Sequence, residues 1–335
     1  MEADKVMCLP KLSRVAVCGG THGNEMSGIY LVKELLKAKA KGVEEEEEET
    51  VPALLVLSNP RAMQQCRRYI DTDLNRCFTH AALTGPMLDP ELYELVRSRE
   101  LNATLGPKGS PEAVDLICDL HNTTANMGLC LISHSDCDWI CLHIFRYLQR
   151  QMSDVPIRYI HLDVSNKEAY SLDSVGKHGF AMEIGPQPHG VVRSNVYAVM
   201  KAGVQHMLDW VTSFNSGRAF ESGFVDVFTM VKCIDYPRDS KTHNITATIH
   251  PELQDRDFCL LCPEDPLFQT FSGETLSYKG TEPLYPFFIN ECAYYEKGIA
   301  LCLARQRRLR IPAIRVQTEQ EQQANKQRSA SEEEE

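Results

Sequence analysis

The 335-residue chain contains no apolar run near the roughly 18 residues of a membrane-spanning helix, so no spanning segment is expected. Its start, Met1-Glu2-Ala3-Asp4-Lys5, lacks a basic segment followed by a long apolar stretch, so no secretory leader is expected. There is no basic excess either. The net charge is −11, which argues against nucleic acid as a partner. That acidity is local: Glu44 to Glu49 supply six negative charges, and Gln317 to Glu335 hold six acids against Lys326 and Arg328. The rest of the chain carries 34 acids against 33 bases. No internal repeat is visible. Neither Cys259-Leu-Leu-Cys262 nor Cys137-Asp-Trp-Ile-Cys141 has the second pair that a structural zinc site needs. Without a leader, the thirteen cysteines are expected to be mostly free thiols in a reducing compartment.

What is present is a 43% hydrophobic composition, enough for a sizeable core and about two domains. Strands are expected at Arg14–Cys18, Val51–Leu57, Val114–Leu120 and Gly179–Ile184. Helices are expected at Met26–Lys39, Tyr93–Leu101, Trp139–Met152 and Val196–Phe214. This alternation predicts an α/β architecture with a largely parallel sheet over residues 1–215. Beyond Asn215-Ser216-Gly217, short alternating runs such as Phe224–Val231 and Phe258–Leu261, punctuated by prolines, predict a smaller β-rich domain over 216–316. Six adjacent glutamates repel one another, so 42–50 is expected as an exposed loop. Residues 317–335 are expected as a disordered acidic tail.

Four clusters carry chemistry. In Gly19-Gly-Thr-His-Gly-Asn-Glu25, where a strand hands over to a helix, the imidazole of His22 and the carboxylate of Glu25 can converge on one point, as zinc in hydrolases requires. The same pattern also fits a helix-capping turn with Asn24 or Glu25. His121, at a strand end, completes a two-histidine, one-carboxylate set, with Asp119 as a residue that could orient it. Cys66-Arg-Arg-Tyr-Ile-Asp-Thr-Asp-Leu-Asn-Arg76 is dense in polar groups. It reads either as a surface salt-bridge loop or as a source of arginines that polarise a carbonyl or fork a carboxylate. Glu183, in an apolar strand, needs a partner or a task, since burial would raise its pKa toward that of a general base; the alternative is a strand-end glutamate pointing outward. His134, His143, His161 and His189 have no ligand spacing.

These clusters, together with Asn290-Glu-Cys-Ala-Tyr-Tyr-Glu-Lys297, resemble the aspartoacylase family of zinc-dependent acylamino-acid amidohydrolases from about Val15 to Ala300. The resemblance implies a zinc-carboxypeptidase-like α/β fold, a mixed sheet flanked by helices, with a smaller β-rich C-terminal domain narrowing the mouth. It implies one Zn2+ per subunit on His22, Glu25 and His121, and Glu183 as general base toward the zinc-bound water. It further implies Arg68 as the group polarising the scissile carbonyl, Asn75 and Arg76 at the substrate's α-carboxylate, Tyr294 reaching in from the C-terminal domain, and Glu291 as a structural neighbour.

One departure bears on substrate. Asp173, in Tyr170-Ser-Leu-Asp-Ser-Val175, stands where aspartoacylases place an arginine for the substrate's β-carboxylate, and an acid there would repel N-acetylaspartate. The resemblance is therefore to the branch acting on N-acyl-aromatic amino acids and aryl-cysteine mercapturates. That branch implies a small-molecule substrate, a homo-oligomer, and a cytosolic protein with some peripheral association at the apical membrane. The competing readings are a peptide carboxypeptidase, an aspartoacylase, and a non-catalytic scaffold working through its acidic insert.

Overall fold

The computed structural model describes residues 6–41, 52–86, 91–318 and 320–321. The acidic 42–50 segment and most of the 317–335 tail lie outside them. A nine-stranded sheet forms the body. Its order is Tyr285–Phe287, Leu301–Ile311, Gly223–Ile234, Ile157–His161, Gly128–Ser133, His178–Gly185, Leu116–Asn122, Val15–Gly19 and Ala53–Leu57. Val15–Gly19 and Leu116–Asn122 are buried along their whole length, as expected of central strands covered on both faces.

Helices Met26–Ala40, Trp139–Gln151 and Ser194–Asn215 lie on one face. They pack Leu31, Phe145, Trp210 and Phe214 against Val17, Leu120 and Met182 of the sheet. Helix Tyr93–Leu105 covers the other face, with Leu101 and Leu105 against Ala16, Cys18 and Ile117. Among the described residues no helix is long and apolar enough to cross a membrane.

Within residues 1–215 the sheet is largely parallel, as expected, with one antiparallel pairing; the whole sheet is mixed. Gly128–Ser133 runs antiparallel to His178–Gly185. Only five residues separate it from Leu116–Asn122, too few for the crossover that a parallel return requires. The C-terminal strands also join the main sheet: Gly223–Ile234 pairs in parallel with Ile157–His161 and antiparallel with Leu301–Ile311. Beside them a three-stranded sheet (Ala247–Ile249, Pro266–Thr270, Thr275–Ser277) closes over its own core of Tyr236, Leu267, Phe268 and Leu301. Phe258–Leu261 is not a strand. Asp255 and Phe258 adopt positive φ, which breaks an extended path.

At the ends of the chain, Met7–Leu9 pairs in parallel with Ile314–Val316, and the Gln317 amide donates to the Leu9 carbonyl at 2.8 Å. Eleven cysteines are free thiols; the exception to that expectation is Cys233–Cys302, a disulfide between residues directly opposite each other on neighbouring strands.

Candidate active site

The Val15–Gly19 strand delivers the chain into a tight turn carrying His22 and Glu25. Gly23 is required there, because a Cβ would sit 2.1 Å from the Ala62 carbonyl carbon. Glu25 occupies the cap position of helix Met26–Ala40 without making a capping bond, and the Asn24 side-chain oxygen has no partner. The capping alternative therefore fails. The Glu25 carboxylate turns toward the site instead. Its oxygens lie 2.7 Å from His22 Nδ1 and 2.9 Å from His121 Nδ1, and the two Nδ1 atoms are 3.2 Å apart. All three side chains are buried.

Each imidazole is held from behind by a carboxylate. His121 Nε2 is 2.8 Å from Asp119, two residues earlier on the same strand face, and His22 Nε2 is 3.0 Å from Asp73. Asp119 is itself fixed by the Thr21 hydroxyl at 2.8 Å. Both Nδ1 atoms are thus directed at one point together with a carboxylate oxygen. This is the donor chemistry and carboxylate support of a divalent-metal site, so the residues fit such an ion. Burial pushes Glu25 up, but the two histidines outweigh it and hold the carboxyl well below its ordinary range. Burial likewise opposes charge on His121, and Asp119 with Glu25 overcomes it, raising the imidazole pKa.

The 68–76 segment is not a surface salt-bridge loop. Buried Glu94 gathers it: its carboxylate accepts the amides of Ile70 at 2.7 Å, Asp71 at 3.0 Å and Thr72 at 3.1 Å. Arg68 reaches inward to Glu25 and Asp73, both at 3.2 Å, while its Nε has no partner. Burial works against the guanidinium charge, but Asp73 and Glu25 prevail and raise its pKa. Arg76 lies over the Tyr170 ring at 4.5 Å. Asn75 Oδ1 accepts the Leu172 amide at 3.0 Å, which leaves its amide nitrogen for other contacts.

Glu183 stands on His178–Gly185 opposite His121. It does not point outward: it lines the cavity, and its Oε1 has no partner. Burial, then the nearby Glu25 charge, pushes its carboxyl up to about 8.

From the C-terminal region, Glu291 clamps the 123–124 turn. It contacts the Thr123 hydroxyl and accepts the Thr124 amide at 2.7 Å. That anchor sets the turn Cys292–Lys297, whose Tyr294 and Lys297 line the cavity; Lys297 Nζ is 2.8 Å from Asp73. The cavity, about 280 Å³, brings together His22, Glu25, Arg68, Asn75, Arg76, His121, Asp173, Glu183 and Tyr294, all singled out from sequence. Its apolar wall is Ile132, Ile160, Leu162, Met230, Phe287 and Phe288. Sequence reasoning did not assign Lys297, although it lies within the Asn290–Lys297 motif. It also set aside His134, which lines the same cavity, and His189, which is 3.5 Å from Glu291.

A family model for the succinylglutamate desuccinylase/aspartoacylase catalytic domain matches residues 11–211, and one for the AstE/AspA barrel-sandwich hybrid domain matches 223–306. A zebrafish (Danio rerio) protein named N-acyl-aromatic-L-amino acid amidohydrolase (carboxylate-forming) B is 57% identical over 92% of this chain and 98% of its own. A zebrafish aspartoacylase is 43% identical over 92% of this chain and 97% of its own. The crystal structure of murine aminoacylase 3 superposes with a TM-score of 0.86 at 42% identity, covering 91% of this chain and 99% of that one. The chain belongs to the succinylglutamate desuccinylase/aspartoacylase family of amide-hydrolysing enzymes.

Proposed function

We propose that the chain is a zinc-dependent amidohydrolase that cleaves N-acyl aromatic L-amino acids, including aryl-cysteine mercapturates, to the free amino acid and a carboxylate. The observation that carries the substrate reading is the cavity itself. Beside the convergent His22, Glu25 and His121 lies an apolar wall, and the lining also includes the acid Asp173. Such a pocket suits an aromatic side chain and repels a second carboxylate. Identity to relatives named for that substrate supports the same reading.

In this reading His22, Glu25 and His121 hold the zinc, which when bound supplies Lewis acidity to a water molecule and to the amide carbonyl. The unpartnered Oε1 of Glu183 accepts the water proton and returns it to the departing amine. The free Nε of Arg68 donates to the carbonyl oxygen as negative charge develops there. Arg76 and the Asn75 amide nitrogen bind the α-carboxylate, and Tyr294 closes the cavity from the C-terminal side. Residues 1–215 form the catalytic domain and 216–316 the domain that narrows its mouth.

The test is steady-state hydrolysis of N-acetyl-tyrosine beside N-acetyl-aspartate. Preference for the tyrosine substrate is expected. Preference for N-acetyl-aspartate would overturn the substrate assignment and leave amide hydrolysis standing.

A further inference from the structure

The side-chain pocket has a direction. Glu183 and Ala181 share one face of the His178–Gly185 strand, and Ala181 is paired with Ile132, which is paired in turn with Ile160. These three residues line the cavity as one row beyond Glu183. The small Ala181 side chain leaves room above the sheet. Two residues further back is Gly179, where the Asp173 backbone crosses so closely that a Cβ would lie 2.2 Å from the Asp173 carbonyl oxygen. Gly179 is about 13 Å along the strand from Glu183. His134, two residues after Ile132, lines the same cavity.

Asp173 and His134 stand at this end beside Tyr170 and Ser171, and each of the two keeps an unused atom. Asp173 is 2% exposed, yet its Oδ1 has no hydrogen-bond partner. His134 holds the Ser171 hydroxyl at 2.7 Å through Nε2, while its Nδ1 has none. The nearby lysines do not satisfy them: Lys108 Nζ is engaged by the Phe78 and Ala169 carbonyls and the Ser174 hydroxyl, and Lys177 Nζ by Asp115 at 2.8 Å. Buried polar atoms left open at the end of an apolar slot are costly until a partner arrives, and for the Asp173 oxygen that partner is a donor.

We propose that Asp173 and His134 form a hydrogen-bonding end wall that selects aromatic side chains ending in a donor, a phenol O–H or an indole N–H, over a plain phenyl ring. The inference rests on the aromatic-substrate reading and deepens it. A site built to bond a substrate hydroxyl discriminates strongly against the analogue lacking it, because its own polar atoms then stay unpaired.

The test compares kcat/KM for N-acetyl-tyrosine, its O-methyl ether and N-acetyl-phenylalanine with the zinc-loaded full chain. The wild type is expected to favour tyrosine over both others by about tenfold or more. Asp173→Leu is expected to bring tyrosine and phenylalanine within about threefold, and Asp173→Asn, which keeps an acceptor oxygen, to restore most of the preference. Wild-type turnover of all three substrates within about threefold would overturn the proposal, and this arm does not depend on any variant folding. A folded Asp173→Leu enzyme that keeps the full tyrosine preference would also overturn it. Cleavage of N-acetyl-aspartate with none of the three aromatic substrates would instead overturn the reading beneath it, so the two failures are distinguishable.

Discussion

His121 and Glu183 face each other across adjacent parallel strands, as register partners in the pairing of Leu116–Asn122 with His178–Gly185. The sheet thus fixes a group of the candidate metal site against the candidate base without help from any loop. Changing Glu183 should leave the His22, Glu25 and His121 set in place. Glu183→Gln is expected to lower kcat by about 100- to 10,000-fold while zinc content stays near that of wild type. Parallel metal analysis and kinetics check this; near-normal turnover would remove Glu183 from the role of base.

Asp119 touches His121 but not the point where the ligand atoms converge. Asp119→Ala should release the imidazole and weaken zinc binding about 10- to 100-fold. Competition with a chromophoric chelator measures this, and unchanged affinity would show that Asp119 only fills space.

Glu94 ties the amides of Ile70, Asp71 and Thr72 to one carboxylate and so supports the loop bearing Arg68, Asn75 and Arg76. Glu94→Ala strands these donors and is expected to cost about 3 kcal/mol of stability and to raise KM. Denaturant titration alongside kinetics is the check. A variant of wild-type stability would contradict this account of the loop.

His143, in the buried face of helix Trp139–Gln151, is pulled down to about 4 by burial, despite the 2.9 Å contact of Nε2 with the Pro312 carbonyl. The folded protein therefore binds its proton less readily than the unfolded chain, whose histidine titrates near ~6.5. The stabilisation is present above that pH and is lost as pH falls through 4, by about 3 kcal/mol at most. In chelator-treated protein, His143→Asn should unfold with a flatter pH dependence between those limits than wild type. Equal slopes would refute the assignment.

Legibility in the sequence followed the range of the interactions. Helices Met26–Ala40, Trp139–Gln151 and Ser194–Asn215 were readable because their apolar residues recur at helical spacing. His22, Glu25 and Glu183 could be singled out from their runs, but each run also allowed a structural alternative that the folded geometry removes. Strand Leu301–Ile311 was not: after Leu301–Ala304 its residues are mostly polar, because one face meets solvent. Its register partners on the neighbouring strand lie 67 to 88 residues earlier in sequence. Glu94 looked like one more charge on a charged helix, and only the packing of that helix against the 68–76 loop gives it work. His134 carried no signal because its importance depends on Asp173, 39 residues later and adjacent only in the fold. Cys233 and Cys302 likewise have no sequence spacing that pairs them; register alone does so.

The most direct test of the account is zinc content measured together with turnover of N-acetyl-tyrosine, before and after chelation and on stepwise return of metal. The account predicts activity abolished by chelation and restored linearly up to one zinc per chain, with His121→Ala neither retaining the metal nor regaining activity. Full turnover by metal-free protein would contradict the account at its centre.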